Sequence, residues 1–428
     1  MSHLNRKVSN VDVLVLGGGA AGFAAALAAR RNGCSVTLIE SQNCIGGSRT
    51  ATGVDTFYGF YTPGDSPRRI VGGIPWEVAN RLVEVNGCFE RPNTYGAGTG
   101  ITYDVEKLKV IYESMLIEAG VTLLYHTYAS VVEMEDGTIK GVAIANKGGL
   151  TTIYAKYYID ATGDGDIAAR AGAPFELGSP EELQSLTTIF FMANVDVDKA
   201  KMTSHKALAK LMKEANQSGQ YNLPREDGSW HATPNPGVIQ TNMVRVTGVD
   251  ATDPFALTMA EIEGRKQTQE YVRFLNNCVP GYENAFLVST SQHIGVRETR
   301  RIRGAYTLTE EDVVQGAKFD DAIACCGAPV EDHYAGSGTR WAYVQGDGVY
   351  HIPFRSLVPQ KVSNLLVAGR CLSATHGAQA SARNSAQCMA MGQAVGTASA
   401  LACKTNSNIS ELDIFQLKNL LLEQGVIL

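Results

Sequence analysis

Residues 11–22 read Val-Asp-Val-Leu-Val-Leu-Gly-Gly-Gly-Ala-Ala-Gly, and 35–40 read Ser-Val-Thr-Leu-Ile-Glu, with an Ala-rich stretch between them. An apolar run, a glycine turn, a helical stretch, a second apolar run and a terminal acid make the spacing of a dinucleotide-binding βαβ unit. Gly17 suits the tight turn, Gly19 leaves room for backbone to approach a pyrophosphate, and Gly22 lets the helix pack close to the sheet. The pyrophosphate would sit on the N-terminus of a helix over roughly 20–32, where free N–H groups and the helix dipole favour anions. Glu40 lies where a carboxylate accepts hydrogen bonds from ribose hydroxyls. The competing reading is an ordinary glycine turn in an α/β domain.

The rest of the chain extends this pattern. Asp104 is an N-cap for a helix carrying Leu108, Ile111, Tyr112, Met115 and Leu116, ended by Gly120. Pro75 opens another, with Val78, Leu82 and Val85 on one face. Residues 43–75 read as loop. Runs at 121–125, 128–134, 138–145 and 151–159, broken by Asp136-Gly137 and Gly148-Gly149, read as a β-meander. The strand Asn364–Ala368 ends at Gly369-Arg370. A polar loop over 371–384 and a small-residue helix from Ser385 to Cys403 follow, then a short amphipathic helix over 411–424. Gly392 and Gly396, four apart among alanines, suggest close helix packing rather than membrane dimerisation.

At 428 residues the chain exceeds one compact core and is expected to fold as interleaved domains. Hydrophobic content of 44% and charged content of 19% are globular values, and a net charge of −6 argues against a nucleic-acid surface. Nine scattered cysteines, an odd number without C-x-x-C, argue against a secreted disulfide framework. Adjacent Cys325 and Cys326 read as buried small residues rather than a redox pair. The first strand begins by Val11, leaving no room for a signal peptide's apolar core, and no run is long enough to span a membrane. The cytoplasm is the expected compartment; no metal site is expected, and a homo-oligomer is left open.

Two further segments join the βαβ unit: Tyr157-Tyr-Ile-Asp-Ala-Thr-Gly-Asp-Gly-Asp166, and Leu366-Val-Ala-Gly-Arg-Cys-Leu-Ser-Ala-Thr-His376. With Gly295-Val-Arg-Glu-Thr-Arg-Arg301 and Tyr350–Pro359, they resemble the bacterial FAD-dependent oxidoreductases of the glutathione-reductase-like, two-dinucleotide-fold class. The resemblance runs from about residue 11 to the C-terminal helix and is weakest over 175–290. It implies an α/β fold in which an FAD-binding Rossmann domain (1–174 and 346–410) is interleaved with a mixed α+β substrate domain (175–345), followed by a C-terminal helix (411–428). It also implies FAD as cofactor. Gly17, Gly19, Ala21, Gly22, Glu40 and the Ala161-Thr162-Gly163 turn would hold the ADP half. Gly46, Gly47, Ser48 and Arg49 would lie near the ribityl chain or isoalloxazine. Gly369 and Arg370 would approach the ribityl-phosphate side. Ala382 and Asn384 would bring the next helix's N-terminus to the flavin N1–C2 edge, where a helix dipole stabilises the charge of reduced flavin. Cys44 and His376 are the residues through which FAD could be covalently held.

Bland alternatives stand beside these assignments. Asp160 and Asp164 could cap a turn. Arg297, Arg300, Arg301 and Arg303 could form a structural ion-pair network with Glu298. Residues 48–52 could be plain polar loop. No second G-x-G-x-x-G unit appears, which argues against a dedicated nicotinamide domain, and no cysteines have iron–sulfur spacing. Electrons would then leave to oxygen or an external acceptor.

Flavin dehydrogenation needs a C–H bond held against N5 and a base for the accompanying O–H or N–H proton. A histidine suits that role. His376, beside the flavin-facing segment, is the first candidate and His351 the second. His231, His293 and His333 rank lower, and His3, His126 and His205 read as surface groups. The expected activity is oxidation or reduction of a small metabolite such as an alcohol, sugar-like compound or amine. Alternatives are a flavin monooxygenase, a flavin-dependent RNA-modifying protein, and a flavoprotein without redox turnover.

Overall fold

The computed structural model describes residues 9–64, 66–92, 98–334 and 338–428. His3 lies outside them. The strand Ser9–Leu16 runs parallel to Val36–Ile39 on one side and to Gly149–Asp160 on the other, pairing Val13 with both Val36 and Tyr157. Val13, Leu14, Val15 and Leu16 are all buried, as a strand covered on both faces requires. The sheet runs Thr122–Leu124, Val36–Ile39, Ser9–Leu16, Gly149–Asp160, Thr138–Asn146, Tyr128–Glu135. Leu365–Val367 returns late in the chain to pair parallel with the end of Gly149–Asp160.

The meander expected over 121–159 is only partly formed. The last three strands are antiparallel neighbours, joined at the two predicted turns. The first, Thr122–Leu124, lies at the opposite edge, parallel to Val36–Ile39. A whole helix, Val105–Ala119, precedes it, and such a crossover delivers a parallel strand where a two-residue turn delivers a hairpin. That helix has the predicted ends: Asp104 accepts from the Glu106 and Lys107 amides, and Gly120 is left-handed. In the helix Ile74–Glu84, Val78 and Leu82 are buried, but Val85 falls past the last turn and is exposed.

The helices Ala20–Arg31 and Ser385–Thr405 cross at nearly bare backbone. A Cβ on Gly392 would lie 2.0 Å from the Ala21 carbonyl oxygen, and one on Gly396 2.3 Å from that of Ala25. The segment 371–384 is not the expected loop. It contains a helix, His376–Ala382, whose residues from Gly377 to Ala382, small apart from Gln379, are all buried. Packing of small side chains, not their polarity, decides that stretch. The C-terminal helix is Ile414–Glu423, capped by Asp413. Cys325 and Cys326 are buried in the strand Ala322–Cys326.

A second apolar core draws on Leu186 to Ile294. Its antiparallel sheet has the order Ser229–Ala232, Ile239–Asn242, Phe190–Ala193, Phe286–Thr290, with the long helix Pro254–Cys278 nearby in sequence and packed in the same core. Leu308, Val313, Ile323 and Val330 pack instead into the first core, so the second interior is narrower than 175–345. The molecule is thus a mixed α/β fold around a Rossmann-like parallel layer. Among the described residues, no helix is long and apolar enough to cross a membrane.

Candidate functional site

The three signature glycines do different work. Gly17 has φ +96°, and a Cβ there would lie 2.4 Å from the Ala161 carbonyl oxygen. A Cβ on Gly22 would lie 1.8 Å from the Gly17 oxygen, so this residue seals turn against helix. A Cβ on Gly19 would meet nothing within 4 Å. Gly19 is the N-cap of the helix Ala20–Arg31, with no side chain capping the first amides and no acid in the first turn. Free amides facing open space are what an anionic pyrophosphate needs.

Glu40 closes the cradle. Its Oε2 accepts from the Gly18 amide at 2.7 Å, and its Oε1 accepts from the Gln42 amide at 2.8 Å and the Ser41 hydroxyl at 3.0 Å. Asp160 turns inward instead. Wholly buried, it accepts from the Thr162 amide and hydroxyl and from the Ile167 and Ala168 amides, so it caps a turn and the helix Asp166–Arg170. Asp164 binds the Thr299 hydroxyl at 2.6 Å and Arg370 at 2.8 Å.

A cavity of about 660 Å³ opens from this cradle towards the second core. Gly17, Gly19, Ala21, Glu40, Gly47, Ser48, Arg49, Ala161, Thr162, Gly163, Gly369, Arg370 and Asn384 all line it. Gly22, Gly46 and Ala382 stand behind the wall: the Gly46 amide donates to Gly18 O, and Ala382 is buried. Asn384 caps the helix Ser385–Thr405, and Ser385 Oγ lies buried on the cavity wall without a hydrogen-bond partner among the described residues. An orphaned hydroxyl at a helix N-terminus fits a polar edge of a bound group. The residues present therefore fit a dinucleotide-sized cofactor.

Neither predicted base lines the cavity. His376 opens its helix with both ring nitrogens on carboxylates: Nδ1 on Glu298 at 2.8 Å and Nε2 on Asp332 at 3.0 Å. Asp332 and Glu298 together raise its pKa to about 9 despite partial burial. An imidazolium held at both ends has no lone pair with which to take a proton. His351 accepts weakly from the Phe319 amide, and burial and Lys318 lower its pKa. Cys44 is also off the cavity.

The structure brings another histidine to the wall. His231, on Ser229–Ala232, meets Asp55 with Nε2 2.7 Å from Oδ1. Asp55 is 0% exposed, and its Oδ2 has no partner among the described residues. If Nε2–H donates to that carboxylate, the lone pair lies on Nδ1. His333 and Glu331 form a second pair at 3.0 Å. Burial and then Arg297 push His333 down to about 3. Burial alone would raise Glu331, but His333, Arg383 and Arg297 outweigh it and hold the carboxyl at about 2. His293 also lines the cavity, whereas His126 is exposed and His205 half-buried.

Of the predicted arginine network, three members pair as structural ions: Arg300 with Asp166, Arg301 with Glu298 and Glu176, and Arg303 with Glu176. Arg297 stands apart on the cavity wall. Nothing local in the sequence marks Asp55 with His231; the pair forms only when distant segments meet.

A family model described as FAD dependent oxidoreductase matches residues 12–421. The digeranylgeranylglycerophospholipid reductase of Methanoculleus marisnigri is 30% identical over 198 residues, which are 44% of this chain and 48% of that protein. The chain thus aligns with about half the length of that curated relative. Among solved structures, a geranylgeranyl bacteriochlorophyll reductase-like protein of Thermoplasma acidophilum superposes with TM-score 0.50 at 13% identity, covering 98% of this chain and 85% of that one. The p-nitrophenol 4-monooxygenase of Pseudomonas putida gives TM-score 0.50 at 10% identity over 97% and 86%. At such identities the solved structures speak to the fold alone.

Proposed function

The chain belongs to the FAD-dependent oxidoreductase family, and from that membership we propose that it oxidises a small polar metabolite, with His231 and Asp55 as its proton-moving pair. It is an enzyme and uses FAD. Bound FAD supplies a two-electron acceptor. Gly19 and the helix amides behind it would hold the pyrophosphate, and Glu40 the ribose. Ser48, Arg49, Asn384 and Ser385 would flank the flavin end in a glutathione-reductase-like arrangement. We take 175–345 as the substrate-side unit and the flanking segments, 1–174 and 346–410, as the cofactor-side unit.

The observation that carries the reading is the buried Asp55 held against His231 on the wall of the same cavity. His231 Nδ1 would accept a proton from a substrate hydroxyl or amine, while Asp55 fixes the ring and stabilises the cation formed. His376 is left a structural part. The cavity wall also carries Arg297 and Arg383, whose charges a long apolar chain such as geranylgeranyl would leave without an anion.

Flavin monooxygenase chemistry is the second reading, since the scaffold is shared with the p-nitrophenol 4-monooxygenase. Anaerobic titration separates the two. Bleaching of the flavin band by an alcohol or amine alone supports the dehydrogenase or oxidase; bleaching only by NAD(P)H supports the monooxygenase and ends the first reading.

A further inference from the structure

We infer that the substrate carries a carboxylate, seated in the cavity between the guanidinium groups of Arg297 and Arg383. The inference rests on the oxidoreductase reading above for taking this cavity as the substrate site. Both arginines line it. Among the described residues, neither has a carboxylate within ion-pair distance. Arg297 donates to the Ser185 carbonyl, and Arg383 to Gln184 Oε1 at 3.1 Å and the Glu331 carbonyl at 3.4 Å. Arg383 Nε is buried with no partner among the described residues.

The surroundings deepen the imbalance. Burial first, then Arg383, and after it Arg225 and Arg245, 2% and 4% exposed, disfavour the charge on Arg297, while Arg225 and Arg245 share Asp227. Among the described residues, Arg297 and Arg383 thus share the influence of one carboxylate, Glu331. Glu298 also acts on Arg383 but is already engaged by Arg301 and His376, while Arg49 adds a further positive charge. His333, held neutral by its low pKa, adds none. Guanidinium does not lose its proton in proteins, so the excess calls for an anion. Two planar forks without anions match the two oxygens of a carboxylate. Tyr58, which also lines the cavity, feels both Asp55 and Glu331, so the anion seat and the His231 pair share one chamber.

The test uses the FAD-loaded protein, titrated with acetate, succinate and benzoate, each against its neutral amide, and with inorganic phosphate. Two readouts are taken: the visible flavin spectrum and the melting temperature. Carboxylates should shift both while amides shift neither. Arg297→Gln and Arg383→Gln should each weaken carboxylate binding by about 10- to 100-fold, the worth of a charge-assisted hydrogen bond, with FAD content unchanged. Should a Gln variant fail to fold, Arg297→Lys, which keeps the charge but not the fork, must still weaken carboxylates without releasing FAD. Three results overturn the inference: carboxylates no better than amides, phosphate binding as well as the carboxylates, or variants that lose FAD instead of the carboxylate response. A protein that takes up no FAD would sink the oxidoreductase reading, while its melting response to carboxylates would still decide the anion seat.

Discussion

His376→Gln should cost stability at pH 6 and almost none at pH 9, while leaving flavin reduction nearly intact. In the folded chain the imidazole bridges Glu298 and Asp332, and these carboxylates lift its pKa from 6.5 to about 9. A pKa raised on folding means that the folded state holds the proton more tightly. The stabilisation is therefore fully present below pH 6.5 and is lost as pH rises through 9. The gap between those values is worth roughly 3.4 kcal/mol at ~1.36 kcal/mol per pH unit. With the imidazole side chain 30% exposed, solvent screening trims this to about 2 kcal/mol. Urea unfolding of wild type and variant across pH 6–9 measures it: the two curves of stability against pH should converge towards the alkaline end. Parallel curves would show that His376 is not a bridging imidazolium. A companion assay is stopped-flow flavin reduction, where loss of a positioned acid–base group would slow the step by about 100- to 10,000-fold. Such a loss with FAD retained would return His376 to the proton-acceptor role and displace His231.

Gly19→Val should fold and lose FAD, because its side chain enters open space at the helix N-terminus. Gly22→Ala should instead destabilise the whole chain, its Cβ being driven into Gly17 O; flavin absorbance and circular dichroism of the purified variants distinguish the two effects. Glu40→Gln should weaken FAD by about 10- to 100-fold through loss of a charged acceptor, read by fluorescence titration of the apoprotein, and an unchanged affinity removes Glu40 from the ribose. His231→Gln should slow substrate-driven flavin reduction by about 100- to 10,000-fold with FAD binding preserved. The lost rate should recover partly at high pH, where hydroxide replaces the base; full speed at neutral pH would refute the assignment.

The proposed nucleotide cradle is legible in the sequence because one contiguous stretch builds it. The turn at Gly17, the contact at Gly22 and the acid at Glu40 follow from steric and hydrogen-bonding demands acting over about thirty residues. The proposed proton-moving pair is assembled differently. Asp55 precedes a two-residue strand in a loop-rich region, His231 sits in a short strand of the second core, and 176 residues separate them. Neither carries a periodicity or a motif, so only the closure of the second core against the first brings them together. The surroundings of His376 have the same origin. It follows the Gly369-Arg370 turn in sequence, but the carboxylates that hold its ring, Glu298 and Asp332, come from segments distant in the chain. A histidine's role depends on what meets its two nitrogens. His376 meets two carboxylates and lies off the cavity, whereas His231 meets one and lines it. Those differences in partners and in place are what move the proposed chemistry from one residue to the other.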